Sequence, residues 1–193
     1  MEILQRSEQV IEPRVRKMFQ DLATKIAKER HLLPQHAAVL LEQYQKGLSM
    51  ITVKENSDEI IAHATLWPLI DKSNWYELGT VWVDPQHRGK NLMTDIYRKI
   101  FENNNEKNIL LTTTNPIAMK ISLKTGMVLV LRDELPSEVV KASCICSLEK
   151  TKNGPENCCL ALTEKKFCPE SEKCHFFITE NTASRLNIQT NEN

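Results

Sequence analysis

Apolar and polar residues follow two rhythms along this chain, and each predicts its own kind of element. Between residues 12 and 31, Val15, Met18, Phe19, Leu22, Ile26 and Ala27 share one side of a 3.6-residue period. An amphipathic helix is expected there, with Pro13 near its start, where a missing N–H is tolerated. Leu33-Pro34 breaks it. A second helix over about 35–46 is expected to bury Ala38, Leu41 and Tyr44 and to end at Gly47. The runs SMITVKE and EIIAHATLWPL flank Asn56-Ser57-Asp58, whose turn chemistry predicts a hairpin. Asp71–Asn74 is a second polar turn and leads into a third strand, WYELGTVWV. After Asp84-Pro85 the period turns helical again, with Leu92, Met93, Ile96, Tyr97, Ile100 and Phe101 on one face. A strand NILLTTT follows, then a helix opened by Asn115-Pro116 and stopped at Gly126, then a strand MVLVLR. From Pro136 the pattern fades until CHFFIT, about 174–179, a late strand. The polar tail from Asn181 is expected to fray.

This order predicts an α+β fold, a mixed α/β sandwich. Its sheet is expected to be mixed and mostly antiparallel, with helices on both faces and a right-handed parallel strand–helix–strand crossover over residues 75–113. Residues 1–135 form the expected core, and residues 136–193 a cysteine-rich extension that adds the late strand to the same domain.

Composition narrows the class. With 193 residues, 41% of them apolar, the chain is long enough to bury one real core. Its 25 Lys and Arg balance 25 Asp and Glu, which argues against a protein that coats nucleic acid or anionic membrane. The first residues are too charged for a secretory leader, and no apolar run reaches membrane-spanning length. The expectation is a soluble, cytoplasmic protein, monomeric or homodimeric, the late strand offering an edge for pairing across a dimer.

All six cysteines lie in the last third of the chain. Cys159, Cys168 and Cys174, joined by Cys146 (or by Cys144 or Cys158), make a candidate structural zinc site, with His175 as a spare ligand. The spacing lacks the paired C-x-x-C pattern. Free thiols packed under a loop and redox chemistry are the alternatives.

The candidate chemistry sits where WYELGTVWV runs through Arg88-Gly89-Lys90 into a helix. First-turn N–H groups lack intrahelical partners and the dipole adds positive potential, so such a turn holds phosphates well. The run Gln86-His87-Arg88-Gly89-Lys90-Asn91, preceded by Val83-Asp84-Pro85, resembles the acyl-CoA motif Gln/Arg-x-x-Gly-x-Gly/Ala of the GNAT-type N-acetyltransferase superfamily. A second signature of that superfamily, Asn-x-x-Ala-x-x-x-Tyr-x-x-x-Gly-Phe, is matched by Asn115, Ala118, Ser122, Gly126 and Met127. The resemblance covers roughly residues 12–132.

The resemblance implies acetyl-CoA as co-substrate. It implies that backbone groups of Val81, Trp82 and Val83 pair with the pantetheine arm as an added strand would. The pyrophosphate would rest on the N–H groups of Arg88, Gly89, Lys90, Asn91, Leu92 and Met93, with Arg88 and Lys90 supplying charge. Asn115 opens the second signature. Asn91 replaces a second small residue, and Asn is the side chain most tolerant of left-handed φ.

Acetyl transfer to an amine needs a base, because a protonated amine has no lone pair to attack with. Glu77 is the candidate, six residues before Val83, where some superfamily members carry a catalytic glutamate. Strand alternation would put Glu77, Gly79, Val81 and Val83 on one face, and desolvation beside Trp75 and Tyr76 would raise the carboxyl pKa. The bland alternative is a strand carboxylate paired with a Lys or with solvent. Ser122 stands where many members carry a Tyr that protonates the departing thiolate. Either Ser122 serves, or water or another side chain does, or the thiolate leaves unaided. His87 reads as a solvated turn residue. The function implied is N-acetyl transfer to an amine acceptor, a small molecule or a protein amine; the alternative is a non-catalytic acyl-CoA-binding or partner-docking module. His31, His36, Trp67, Trp75 and Tyr76 are candidates to line the acceptor side.

Overall fold

The hydrophobic stripe of the first helix places it: Met18, Phe19, Leu22 and Ile26 are all buried, and burying each stabilises the fold by about 2–3 kcal/mol. The structure, a computed structural model, describes residues 12–29, 32, 34–143 and 175–188. Helix α1 spans Pro13–Ile26 and ends earlier than its periodicity suggests. Ala27 is its C-cap and is exposed, so the stripe stops at Ile26. Helix α2, Ala37–Gln45, buries Leu40, Leu41 and Gln43, whereas Ala38 faces solvent. Tyr44 is half-buried against Phe19, ring centroids 5.3 Å apart.

Strands β1 (Ser49–Val53) and β2 (Ile60–Pro68) form the expected antiparallel hairpin, with Ser49 opposite Thr65 and Ile51 opposite His63. Strand β3 spans Trp75–Val83, helix α3 Leu92–Asn103 and strand β4 Asn108–Thr113. β3 and β4 are parallel, pairing Trp75, Tyr76 and Glu77 with Asn108, Ile109 and Leu110. Helix α4 (Pro116–Lys124) and strand β5 (Met127–Val130) follow. Helix α5, Ser137–Ser143, fills a stretch where the sequence pattern had faded, anchored by buried Val139 and Val140. The late strand β6 is His175–Thr179, followed by helix α6, Glu180–Leu186.

The result is a mixed α+β fold with one six-stranded sheet, in the order β1-β2-β3-β4-β6-β5. Two expectations change at its far end. β6 pairs antiparallel with both β4 and β5, so neither of its edges is free for a dimer partner. The tail does not fray at Asn181, because α6 carries Thr182 and Ala183 into full burial and Thr182 Oγ1 accepts the Ile109 N–H at 3.0 Å.

The chain divides into two compact units, residues up to Trp67 with Leu78–Asn104, and Pro68–Glu77 with the chain from Asn105 on. The first unit has a core of α1, α2, β1 and β2 residues closed by Trp82. The core of the second gathers Trp75, Leu110, Val130, Leu135, Val139, Val140, Phe176, Ile178 and Ala183. Among the described residues, no helix is long and apolar enough to cross a membrane.

Candidate active site

In the first unit, β3 does not run straight into its turn. Thr80 has φ 48°, left-handed for a β-branched residue, and such a conformation persists only where the surroundings impose it. The hydrogen bonds flanking it are out of register by one residue, Leu69 N–H to the Trp75 carbonyl on one side and Asp84 N–H to the Ile61 carbonyl on the other. One extra residue on one strand is a β-bulge. Strict alternation through Glu77, Gly79, Val81 and Val83 is therefore interrupted at Thr80.

Beyond Val83, Asp84 Oδ1 accepts the Gln86 N–H at 3.0 Å and starts a short 3₁₀ turn, Pro85–His87. Asp84 also meets Lys25 at 3.4 Å. Burial opposes its charge, but the Gln86 N–H and Lys25 outweigh it and hold its pKa below the usual carboxylate range. Gly89 (φ 80°) and Asn91 (φ 59°) are both left-handed, and Asn91 is the N-cap of α3. The tolerance expected of Asn91 is what the turn uses. Left-handed residues in a turn aim successive N–H groups into one concavity, the geometry that receives anions. A Cβ built on Gly89 meets nothing within 4 Å, so there is room against the turn. Leu92 and Met93 point their side chains into the core while supplying first-turn N–H groups. The turn thus combines left-handed backbone at Gly89 and Asn91 with open space beside Gly89.

Of its two cations, Arg88 is paired within the protein. Arg88 Nη2 pairs with Glu29 Oε1 at 2.8 Å, and Arg88 Nε donates to the Val83 carbonyl at 3.2 Å. Glu29 also accepts from the buried Trp82 indole N–H at 3.2 Å, while Lys25 Nζ lies 5.4 Å from the Trp82 ring centroid. The Arg88 side chain therefore ties the turn to the end of α1. Lys90 is exposed. His87 is not solvated; its side chain is 17% exposed and 3.6 Å from Asp84.

In the second unit, Glu77 lies on β3 and its carboxylate accepts a short hydrogen bond from the Thr112 hydroxyl on β4. Desolvation pushes the Glu77 pKa up, and the Thr112 hydroxyl works against that rise. Thr112 was not singled out by the sequence; only the strand pairing brings it to Glu77, and alternation alone carries no such signal. Ser122 is fully buried on α4, its Oγ without a partner among the described residues. Asn115 Oδ1 accepts the Ile117 N–H at 2.9 Å and so serves as the N-cap of α4, as its residue type dictates. Trp75 is buried in this unit's core; His36 is exposed.

His31 and all six cysteines, hence the candidate zinc site of Cys146, Cys159, Cys168 and Cys174, lie outside the described residues. Among the described residues no group of three or more His, Cys, Asp or Glu is placed to hold a metal ion.

A sequence model described as "Acetyltransferase (GNAT) family" matches residues 15–120, more than half the chain. The chain belongs to the GNAT acetyltransferase family. With that membership goes the class of reaction, acetyl-CoA-dependent acyl transfer. Solved structures agree in fold. Mycobacterium tuberculosis Rv2747, in complex with CoA and NLQ, superposes with TM-score 0.57 at 12% identity, over 93% of this chain and 98% of that one. A GNAT acetyltransferase from Staphylococcus aureus gives 0.54 at 14% identity, over 92% and 97%. N-acetylglutamate synthase from Neisseria gonorrhoeae, complexed with coenzyme A and N-acetyl-glutamate, gives 0.52 at 14% identity, over 92% of this chain and 34% of the larger protein. No curated protein sequence matches the chain.

Proposed function

We propose that this GNAT protein moves an acetyl group from acetyl-CoA to an amine by direct attack in a ternary complex. The observation that supports this reading best is Glu77, a half-buried carboxyl with a raised pKa, on the strand that leads into the acyl-CoA turn. A general base works best with its pKa near the operating pH. Glu77 takes the proton from the attacking amine, directly or through one water, and thereby exposes the nitrogen lone pair. Backbone groups of Val81, Trp82 and Val83 take the pantetheine arm, with the N–H near Val83 facing the thioester carbonyl oxygen. The N–H groups from Arg88 to Met93 hold the diphosphate. Bound there, acetyl-CoA supplies an activated carbonyl and a thiolate leaving group.

Ser122, with its hydroxyl fully buried, is read as a packing residue, and the departing thiolate takes its proton from water. The acceptor is a primary amine, free or on a protein. Thiol release across an amine panel tests the reading. Wild type should release CoA only with an acceptor present, and Glu77→Gln should lower kcat by roughly 100-fold or more, with the acetyl-CoA KM within a few-fold. Equal rates for the two proteins would remove Glu77 as the base.

A further inference from the structure

β2 carries a histidine that the acyl-transfer chemistry does not use. His63 is fully buried in the first unit, and among the described residues its hydrogen-bond partners are neutral groups. Its Nδ1 lies 3.0 Å from the Thr80 carbonyl, its Nε2 2.8 Å from Ser49 Oγ and 2.9 Å from Thr65 Oγ1. A carbonyl oxygen only accepts, so Nδ1 carries the proton. Burial pushes the ring pKa down to about 4, so at neutral pH the ring holds one proton and Nε2 is a bare acceptor. Nδ1–H donates to Thr80, and the hydroxyls of Ser49 and Thr65 both face Nε2; Thr65 Oγ1 also lies 3.0 Å from Ser49 Oγ, and Ser49 Oγ lies 3.3 Å from the Ala64 carbonyl, a second acceptor for its proton.

Thr80 is the left-handed bulge residue of β3, and it is held twice. Trp67, on the same strand as His63, donates its indole N–H to Thr80 Oγ1 at 3.1 Å. The same indole lies so close to Gly79 that a Cβ there would meet it at 2.9 Å. Val81–Val83, the proposed pantetheine segment, begins at the next residue.

We propose that His63 is a positioning residue for acyl-CoA. Backed by Ser49 and Thr65, it holds the Thr80 carbonyl, and so the bulge that aims the backbone of Val81–Val83 at the pantetheine arm. The inference rests on the acyl-CoA reading above. It predicts that a side chain bearing an N–H at the Nδ1 position keeps the site, and that one lacking it loses the site even in a folded protein. Asn offers such an N–H; Gln fills the Nε2 side instead.

The test is acetyl-CoA affinity by calorimetry on the full chain, for variants shown to be folded by circular dichroism. His63→Gln should weaken binding at least tenfold, and His63→Asn should recover most of that loss. Adding Thr80→Gly to His63→Gln should also recover affinity, because glycine takes left-handed φ without an anchor. In parallel, the ¹⁵N spectrum of wild type at pH 7 should show His63 protonated at Nδ1 and bare at Nε2, a readout that stands even where a variant fails to fold. His63→Gln that binds as tightly as wild type, or a ring protonated at Nε2, overturns the inference alone. Wild type that binds no acetyl-CoA overturns the acyl-CoA reading and the inference with it.

Discussion

Glu77 and Thr112 show how much of a carboxyl's behaviour depends on one neighbour. Desolvation raises the Glu77 pKa, and the Thr112 hydroxyl, donating to the charged form, restrains it. The acid limb of kcat/KM should therefore lie above the usual carboxylate range. Thr112→Val, which removes the donor, should move that limb to still higher pH and lower the rate on its acid side. A pH–rate profile of the two proteins checks this. Ser122 makes the opposite case. Its buried hydroxyl has no partner among the described residues, and an unsatisfied buried polar group destabilises. Ser122→Ala should leave stability unchanged or raise it by up to about 1 kcal/mol in urea titration, and kcat within about threefold. Glu77 was singled out by its place before the motif. Thr112 and His63 were not, because their roles depend on neighbours in other strands.

Elements built from local signals were the ones best read from sequence. The Asn115-Pro116 pair starts α4 where its chemistry says, and Asn91 takes the left-handed conformation that opens α3. These depend on backbone sterics within a few residues. Asn91→Val should cost about 1–3 kcal/mol, since a β-branched residue is strained at positive φ, and Asn91→Gly should not. Melts of both variants, with and without acetyl-CoA, decide this. Strand β3 was less legible. Its run of aromatic and β-branched residues announces a strand, but the bulge at Thr80 is imposed by His63 and Trp67 from the neighbouring strand. The end of α1 was overrun: the reading ran to residue 31, carried past Ile26 by Ala27, whose small side chain carries little positional information.

At the scale of the whole molecule, stability should respond to acid through the first unit. The His63 pKa falls from an ordinary 6.5 to about 4 in the fold. Between those values the unfolded chain binds a proton that the folded chain refuses. Stability is therefore fully present above pH 6.5 and falls as pH drops toward 4, by up to about 3 kcal/mol from this group. Urea titrations at pH 7 and pH 4.5 should show the loss, and His63→Asn should reduce it. The second unit depends on its last strand. Phe177 is fully buried on β6, and Phe177→Ala should cost about 3–5 kcal/mol. In hydrogen exchange of that variant, β4 and β5, which pair with β6, should lose protection before β1 and β2 do. The mixed sheet was legible from the order of elements. The insertion of β6 between β4 and β5 was not, because pairs such as Leu110 with Ile178 join stretches far apart in the chain.

That insertion sets a timetable for synthesis. β4 and β5 leave the ribosome well before β6, yet in the sheet they reach each other only through it. Until His175–Thr179 emerges, β5 lacks the partner it has among the described strands and β4 lacks one neighbour. The hairpin β1–β2 and helices α1 and α2 draw on contacts already made. The nascent chain should thus mature from its first unit onward, with the strands of its second unit exposed until β6 emerges, and it is in that interval that a chaperone would find them.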